Sequence, residues 1–283
     1  MKVILISFDA MEHDFVVKYG YENLLQKEHG ILDLEPYLDN RPRGRGSGDP
    51  FTPEVYATFI SGIVPKESYD ILQRGFGTTY PTIFQLSDKS LAIDVPAYCG
   101  GPAKAWIDRL TGAPLFERYW RNELSLEFAE EEYYKWMNIK ASYARLISKY
   151  EHDLILFYFK EPDKLQHMYY DGDLNKYKRL YSAMDNLAGK IINAFNKWDT
   201  AIIIFSDHGV NFKGGHSQHG FWSSNIPLER GDRISIIDWY EIIKEIYRRP
   251  ARFKINVPEQ DDDLTDEDKK AVEEHLRKLG YFG

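Results

Sequence analysis

The chain has 283 residues, enough for one large domain or two small ones and for a substantial core. Hydrophobic residues make up 43% and charged residues 28%, and a net charge of −8 excludes a chain that grips nucleic acid through a broad basic surface. A single cysteine, Cys99, excludes an internal disulfide, and no run approaches the roughly 18–20 apolar residues of a membrane span, so a cytoplasmic location is expected.

The chain opens on an apolar run at 3–8 that ends in Asp9 and reads as a buried strand, too short to be a signal peptide. The stretch 41–50 (RPRGRGSGDP) is a loop by its Gly, Pro and Arg content. It leads into a short helix over which Thr52 is expected as N-cap, Pro53 as first helical residue and Gly62 as the stop. Further buried strands are expected at 91–95, 154–159 and 201–205. Apolar residues at three- and four-residue spacing predict a helix over 124–147 and a clearer one from Leu174 to Phe195. After an acidic run at 259–263, Thr265 fits the cap of a last helix, 265–280. Strands alternating with helices imply an α/β fold with three α/β/α layers and a mostly parallel central sheet. We read 1–283 as one catalytic domain, with a small cap drawn from 108–150.

In such sheets ligands bind beyond the carboxyl ends of the strands. Three predicted strands run there into acids or histidines: Asp9; Glu161-Pro162-Asp163 with His167; and Ser206-Asp207-His208-Gly209 followed by His216 and His219. Singly, each has a plain reading as a turn residue, a helix-face pair or loop decoration. Jointly they put three carboxylates and three or four histidines on one edge, which surface decoration does not explain. Asp with His suits zinc, with manganese or magnesium as alternatives, and this number of ligands suits two divalent ions better than one. Paired ions clamp both oxygens of an in-line displacement at phosphorus. Thr52, at the start of a helix where free N–H groups and the helix dipole favour phosphate, is the hydroxyl that such chemistry needs, although Thr-Pro at a helix start commonly only caps.

These blocks together resemble the alkaline phosphatase superfamily, in particular its type I phosphodiesterase/nucleotide pyrophosphatase branch. The resemblance rests on Ile6-Ser7-Phe8-Asp9-Ala10, Thr52-Pro53 through Ser61-Gly62 with Pro65-Lys66-Glu67-Ser68, Glu161-Pro162-Asp163 with His167, and Ser206-Asp207-His208-Gly209, in that order. It implies an alkaline-phosphatase-like fold with Asp163, His167 and a later histidine on one metal. Asp9, Asp207 and His208 would hold the other, with Thr52 as shared ligand and nucleophile forming a phosphoryl-enzyme. The later histidine is His216 or His219, and the glycine flank of His216 (Gly214-Gly215) favours it. The implied substrate is a small phosphodiester or nucleotide pyrophosphate, with Trp222 and its Tyr-rich surroundings either stacking a base or filling the core.

Two rivals stand beside this reading: a phosphomonoesterase or phosphomutase-like enzyme, kept open by Arg41, Arg43 and Arg45, and a non-catalytic metal-binding module. Glu54, two residues past Thr52, would repel phosphate or recruit a cation if it faced the site. The oligomeric state is left open.

Overall fold

The structure is a computed structural model and describes residues 1–40, 48–66, 80–98, 113–169, 171–195, 199–212 and 215–250. Its sheet is built from β1 (Lys2–Phe8), β2 (Glu28–Asp33), β3 (Ser90–Ile93), β4 (Leu154–Phe159), β5 (Thr200–Phe205), β6 (His219–Ser224) and β7 (Arg233–Ser235). The strand order is β3-β4-β1-β5-β6-β2-β7, and β6 alone among the described strands runs against its neighbours. The helices are α1 (His13–Tyr19), α2 (Glu35–Asn40), α3 (Thr52–Ser61), α4 (Ala113–Trp120), α5 (Leu126–Ile147), α6 (Glu161–Met168), α7 (Leu174–Phe195) and α8 (Trp239–Arg248).

The central strands are continuous apolar runs because both of their faces are covered. In β4, LILFYF, every residue is buried. Alternation along β1 divides the core in two: Ile4, Ile6 and Phe8 face α5, α6 and α7, whereas Val3 and Leu5 face α3 and α8. On the second face Phe59 of α3 stacks on Phe205 with ring centroids 3.9 Å apart and on Trp239 at 5.5 Å. The helix α5 begins where the Ser125 hydroxyl accepts from Phe128 N. Its buried residues, including Tyr133, Met137 and Ala144, lie in the first core cluster against α7, so this part of the segment expected as a cap is a structural layer of the domain. The expected helix at 265–280, the arginines of 41–45 and Cys99 lie outside the described residues.

Three departures from the expected elements have physical causes. The strand at 91–95 runs instead as Ser90–Ile93, because Asp94 takes a left-handed φ of 59° that ends the ladder. The helix α3 starts one residue early: Phe51 occupies the cap with no side-chain bond, Thr52 is the first helical residue, and Pro53 is the second. The strands β2, β6 and β7 were not expected at all. Their sequences, EHGILD, HGFWSS and RIS, carry polar, glycine or short stretches in place of an apolar run.

Candidate metal centre and active site

The strands β1, β4 and β5 lie parallel and in register, so Asp9, Glu161 and Ser206 leave the sheet side by side at its carboxyl edge. The reversed β6 brings the chain back to that edge at His219, paired across to Asp33. Asp163 and His167 sit one turn apart on α6, with Asp163 in the positive first turn. Thr52 is half-buried at the positive end of α3.

Two groups of ligand atoms converge. His167 Nε2 lies 3.2 Å from Asp163 Oδ1 and 3.2 Å from His216 Nε2, and His216 Nε2 is 3.4 Å from that same oxygen. Three ligands on one tetrahedral ion with bonds of about 2.0–2.1 Å would stand about 3.3 Å apart, so this near-equilateral triangle matches the face of such a site. In the second group His208 Nε2 lies 3.3 Å from Asp9 Oδ1 and 3.5 Å from Asp207 Oδ2. His208 also falls within 4.8 Å of the Asp163 and His216 atoms, and its ring stacks on that of His216 at 4.0 Å, so the two groups adjoin. The Thr52 hydroxyl lies close enough to Asp207 to favour its ionised form, although neither oxygen of Asp207 makes a hydrogen bond of full geometry.

The donor set fits divalent cations on the protein's own terms. Asp9, Asp163 and Asp207 are buried together, at 3%, 5% and 1% exposure. Asp9 Oδ1, both Asp207 oxygens and His208 Nε2 are buried without a hydrogen-bond partner. Such clustering is costly unless a cation compensates it. Burial first, and then the charges of Asp207 and Asp163, push the Asp9 carboxyl well above the usual carboxylate range. Burial likewise raises Asp207 to about 6. Burial lowers the pKa of His208 and keeps it neutral. Its Nδ1–H donates to Gly209 O at 3.1 Å, which leaves Nε2 as the bare electron-pair donor a metal requires. Burial opposes the ionisation of Asp163, yet Lys164, His167 and His216 hold its carboxyl well below the ordinary value. Burial also opposes a charge on His216, but Asp163 outweighs it and raises that pKa.

The loops that carry these side chains are braced by residues that sequence reasoning missed. Ser206 Oγ donates to His208 O at 2.5 Å and accepts from Met11 N at 2.7 Å, which joins the loops after β1 and β5. Gln166 Nε2 donates to Ala10 O, 2.8 Å away, and secures the left-handed φ of 62° at Ala10. The buried carboxylate of Glu12 accepts from Val210 N (3.1 Å), Ser217 Oγ (2.9 Å) and His219 Nε2 (3.1 Å). A Cβ on Gly209 would stand 2.2 Å from Glu12 Oε2, so a larger residue there would push this bracing carboxylate aside. Beneath α6, the buried Lys140 ammonium donates to Tyr158 O (2.8 Å), and pairs with Asp94 (2.8 Å) and Glu161 (3.3 Å). Long sequence separations hide most of these pairs. A buried polar residue inside an otherwise helical apolar face, as at Lys140, was the one available signal.

Several expected residues take different places. His216 joins Asp163 and His167, while His219 pairs with Glu12. Gly215 also leaves room for a neighbour, since a Cβ there would stand 2.5 Å from the Asn211 amide, whose oxygen accepts from Gly215 N. Glu54 is fully buried and accepts from Tyr37 Oη at 2.8 Å, so it does not present a free carboxylate to the site. Trp222 is 1% exposed in the core beside Trp239, which leaves it no face for a base.

A seven-stranded, mostly parallel sheet covered by helices, with this edge, defines an alkaline-phosphatase-like fold. The alkaline phosphatase of the Antarctic bacterium TAB5 superposes with a TM-score of 0.58 over 87% of this chain and 98% of that one, at 11% identity. Human ectonucleotide pyrophosphatase/phosphodiesterase 5 aligns over 93% and 97% at 12% identity, with a TM-score of 0.49. No curated protein sequence matches the chain. The model of the type I phosphodiesterase / nucleotide pyrophosphatase family matches residues 28–280, and the chain belongs to that family. It is therefore a hydrolase of the phosphodiesterase/pyrophosphatase type. Among the described residues no helix is long and apolar enough to cross a membrane.

Proposed function

We propose that this chain hydrolyses small phosphodiesters or nucleotide pyrophosphates with Thr52 as nucleophile and two divalent cations, zinc first among them, as cofactors. The observation that carries this reading is the pair of adjoining acid–histidine groups, Asp163/His167/His216 and Asp9/Asp207/His208, with the Thr52 hydroxyl beside Asp207. When bound, the cations would neutralise the buried carboxylates, lower the hydroxyl pKa and polarise the phosphoryl group.

The chain's own groups do the rest. The Thr52 hydroxyl lies beside Asp207, the positive end of the α3 dipole favours a phosphate oxygen there, and Thr52 Oγ attacks phosphorus as its proton passes to solvent and the ester oxygen leaves and takes up a proton from water. Water then cleaves the phosphoryl-threonine and restores the hydroxyl. His167 bounds one side of the site together with Phe116 of α4, ring centroids 6.2 Å apart, and the exposed Trp120 lies 6.1 Å beyond Phe116. These rings support a substrate-facing role for α4 within the 108–150 segment. A single domain over 1–283 and a cytoplasmic setting are part of this proposal.

The decisive assay compares bis(p-nitrophenyl) phosphate with p-nitrophenyl phosphate in the presence of zinc, manganese or magnesium, for wild type and Thr52→Ala. Loss of at least about a thousandfold in Thr52→Ala, with metal content unchanged, is expected of a lost nucleophile. Full metal-dependent activity in Thr52→Ala removes the threonine from the mechanism. A fully loaded wild type without turnover favours a metal-binding module. The phosphomonoesterase alternative keeps one specific support, the ammonium of Lys164.

A further inference from the structure

The two oxygens of Asp163 face different ways. Oδ1 meets His167 and His216 at 3.2 and 3.4 Å, whereas Oδ2 accepts from Lys164 Nζ at 2.9 Å. Lys164 is about one third exposed, so it stands at the rim of the site and not beneath it. Its ammonium also lies 5.3 Å from the ring of Phe116, the same ring that flanks His167. A cation in the first turn of α6 works against the helix dipole, so helix stability gives no reason for it. Electroneutrality does. While Thr52 keeps its proton, Asp9, Asp163 and Asp207 against two divalent cations leave one positive charge, which balances the monoanion of a phosphodiester. Lys164 adds a second charge, on a flexible four-carbon stem whose head can turn from Asp163 Oδ2 toward a phosphate oxygen held nearby.

We propose that Lys164 is a specificity-determining residue that lets this site hold a doubly charged phosphoryl group, either a phosphomonoester or the terminal phosphate of a pyrophosphate. The inference rests on the assignment of Asp163, His167 and His216 as a metal site. It extends the substrate class of that site from monoanionic esters to dianionic ones, with the ammonium donating to the oxygen that a diester would carry as an ester link.

The test uses the metal-loaded full chain as wild type, Lys164→Met, which keeps the stem against Phe116, and Lys164→Arg. Turnover is measured on p-nitrophenyl phosphate and inorganic pyrophosphate as the two dianionic arms, with bis(p-nitrophenyl) phosphate as the monoanionic reference. Binding of inorganic phosphate and of dimethyl phosphate is measured by calorimetry, and metal content is checked for each variant. In Lys164→Met the ratio of monoester to diester kcat/KM should fall about 10- to 100-fold, the size of one charge-assisted hydrogen bond, and phosphate affinity should fall similarly against dimethyl phosphate. Lys164→Arg should retain most of both. A larger loss on one dianionic arm identifies which source of terminal phosphate the site prefers. An unchanged ratio, an equal loss on all substrates that tracks lost metal, or a wild type that cleaves the diester but no dianion overturns the proposal. A wild type that holds its metals yet cleaves nothing refutes the hydrolase reading instead, and the phosphate-binding comparison still decides the role of Lys164.

Discussion

Replacing Asp207 with asparagine should stabilise the metal-free protein and destabilise the metal-loaded one. Asp207 is 1% exposed with neither oxygen hydrogen-bonded, and burial raises its pKa from 3.8 to about 6. In the absence of metal the folded state therefore holds the Asp207 proton more tightly than the unfolded chain. The resulting stability is fully present below the unfolded value of 3.8 and is lost as pH rises through about 6. A shift of about 2 units at about 1.4 kcal/mol each amounts to about 3 kcal/mol lost to the ionised carboxylate at pH 7.5. The neutral amide of the Asp207→Asn variant would be spared that cost and would offer Asp9 a donor. Urea unfolding of the chelator-treated proteins should show Asp207→Asn more stable by about 2–3 kcal/mol at pH 7.5, with the difference closing near pH 4. Added zinc should reverse the order, because the wild type gains binding energy that the amide cannot match. A metal-free Asp207→Asn protein less stable than wild type at pH 7.5 would refute the reasoning, since it would mean that the folded state needs the carboxylate for its own sake.

Three further outcomes follow from the same geometry. His216→Ala should lower metal content from two ions toward one per chain by atomic emission, whereas His219→Ala, whose partner is Glu12, should leave both ions bound; the reverse pattern would exchange their roles. Glu12→Gln should weaken metal binding by about 10- to 100-fold in competition with a chelating dye, because Glu12 braces the chain around His208 and His216. Lys140→Met should cost about 3–5 kcal/mol in urea unfolding, because it strands Asp94 and Glu161 without their buried cation.

The legibility of the fold followed strand burial. The strands β1, β4 and β5 are covered on both faces, and their unbroken apolar runs announced them to within a residue. By contrast β6 pairs antiparallel on both sides and carries two buried serines, of which Ser223 finds a tertiary partner that a linear reading does not contain. Ser223 Oγ donates to Leu24 O at 2.6 Å. In the site, Asp9, Asp163, His167, Asp207 and His208 stood out because they adjoin visible strands. Glu12 did not, since it reads as an ordinary residue at the start of α1 until its carboxylate meets a loop almost two hundred positions away. Thr52 was visible as a residue at a helix start, but its distinguishing neighbour, Asp207, belongs to a distant strand end.

The reversal of β6 has a further consequence for how this centre could be altered. Because β5 leaves the edge and β6 re-enters it as its antiparallel neighbour, Asp207, His208 and His216 all lie on one hairpin connection, anchored at both ends by the sheet. The ends are already held close by the strand ladder, so closing this segment costs little entropy. Half of the proposed cation-binding groups could therefore be exchanged as a single cassette, with the rest of the molecule left as scaffold.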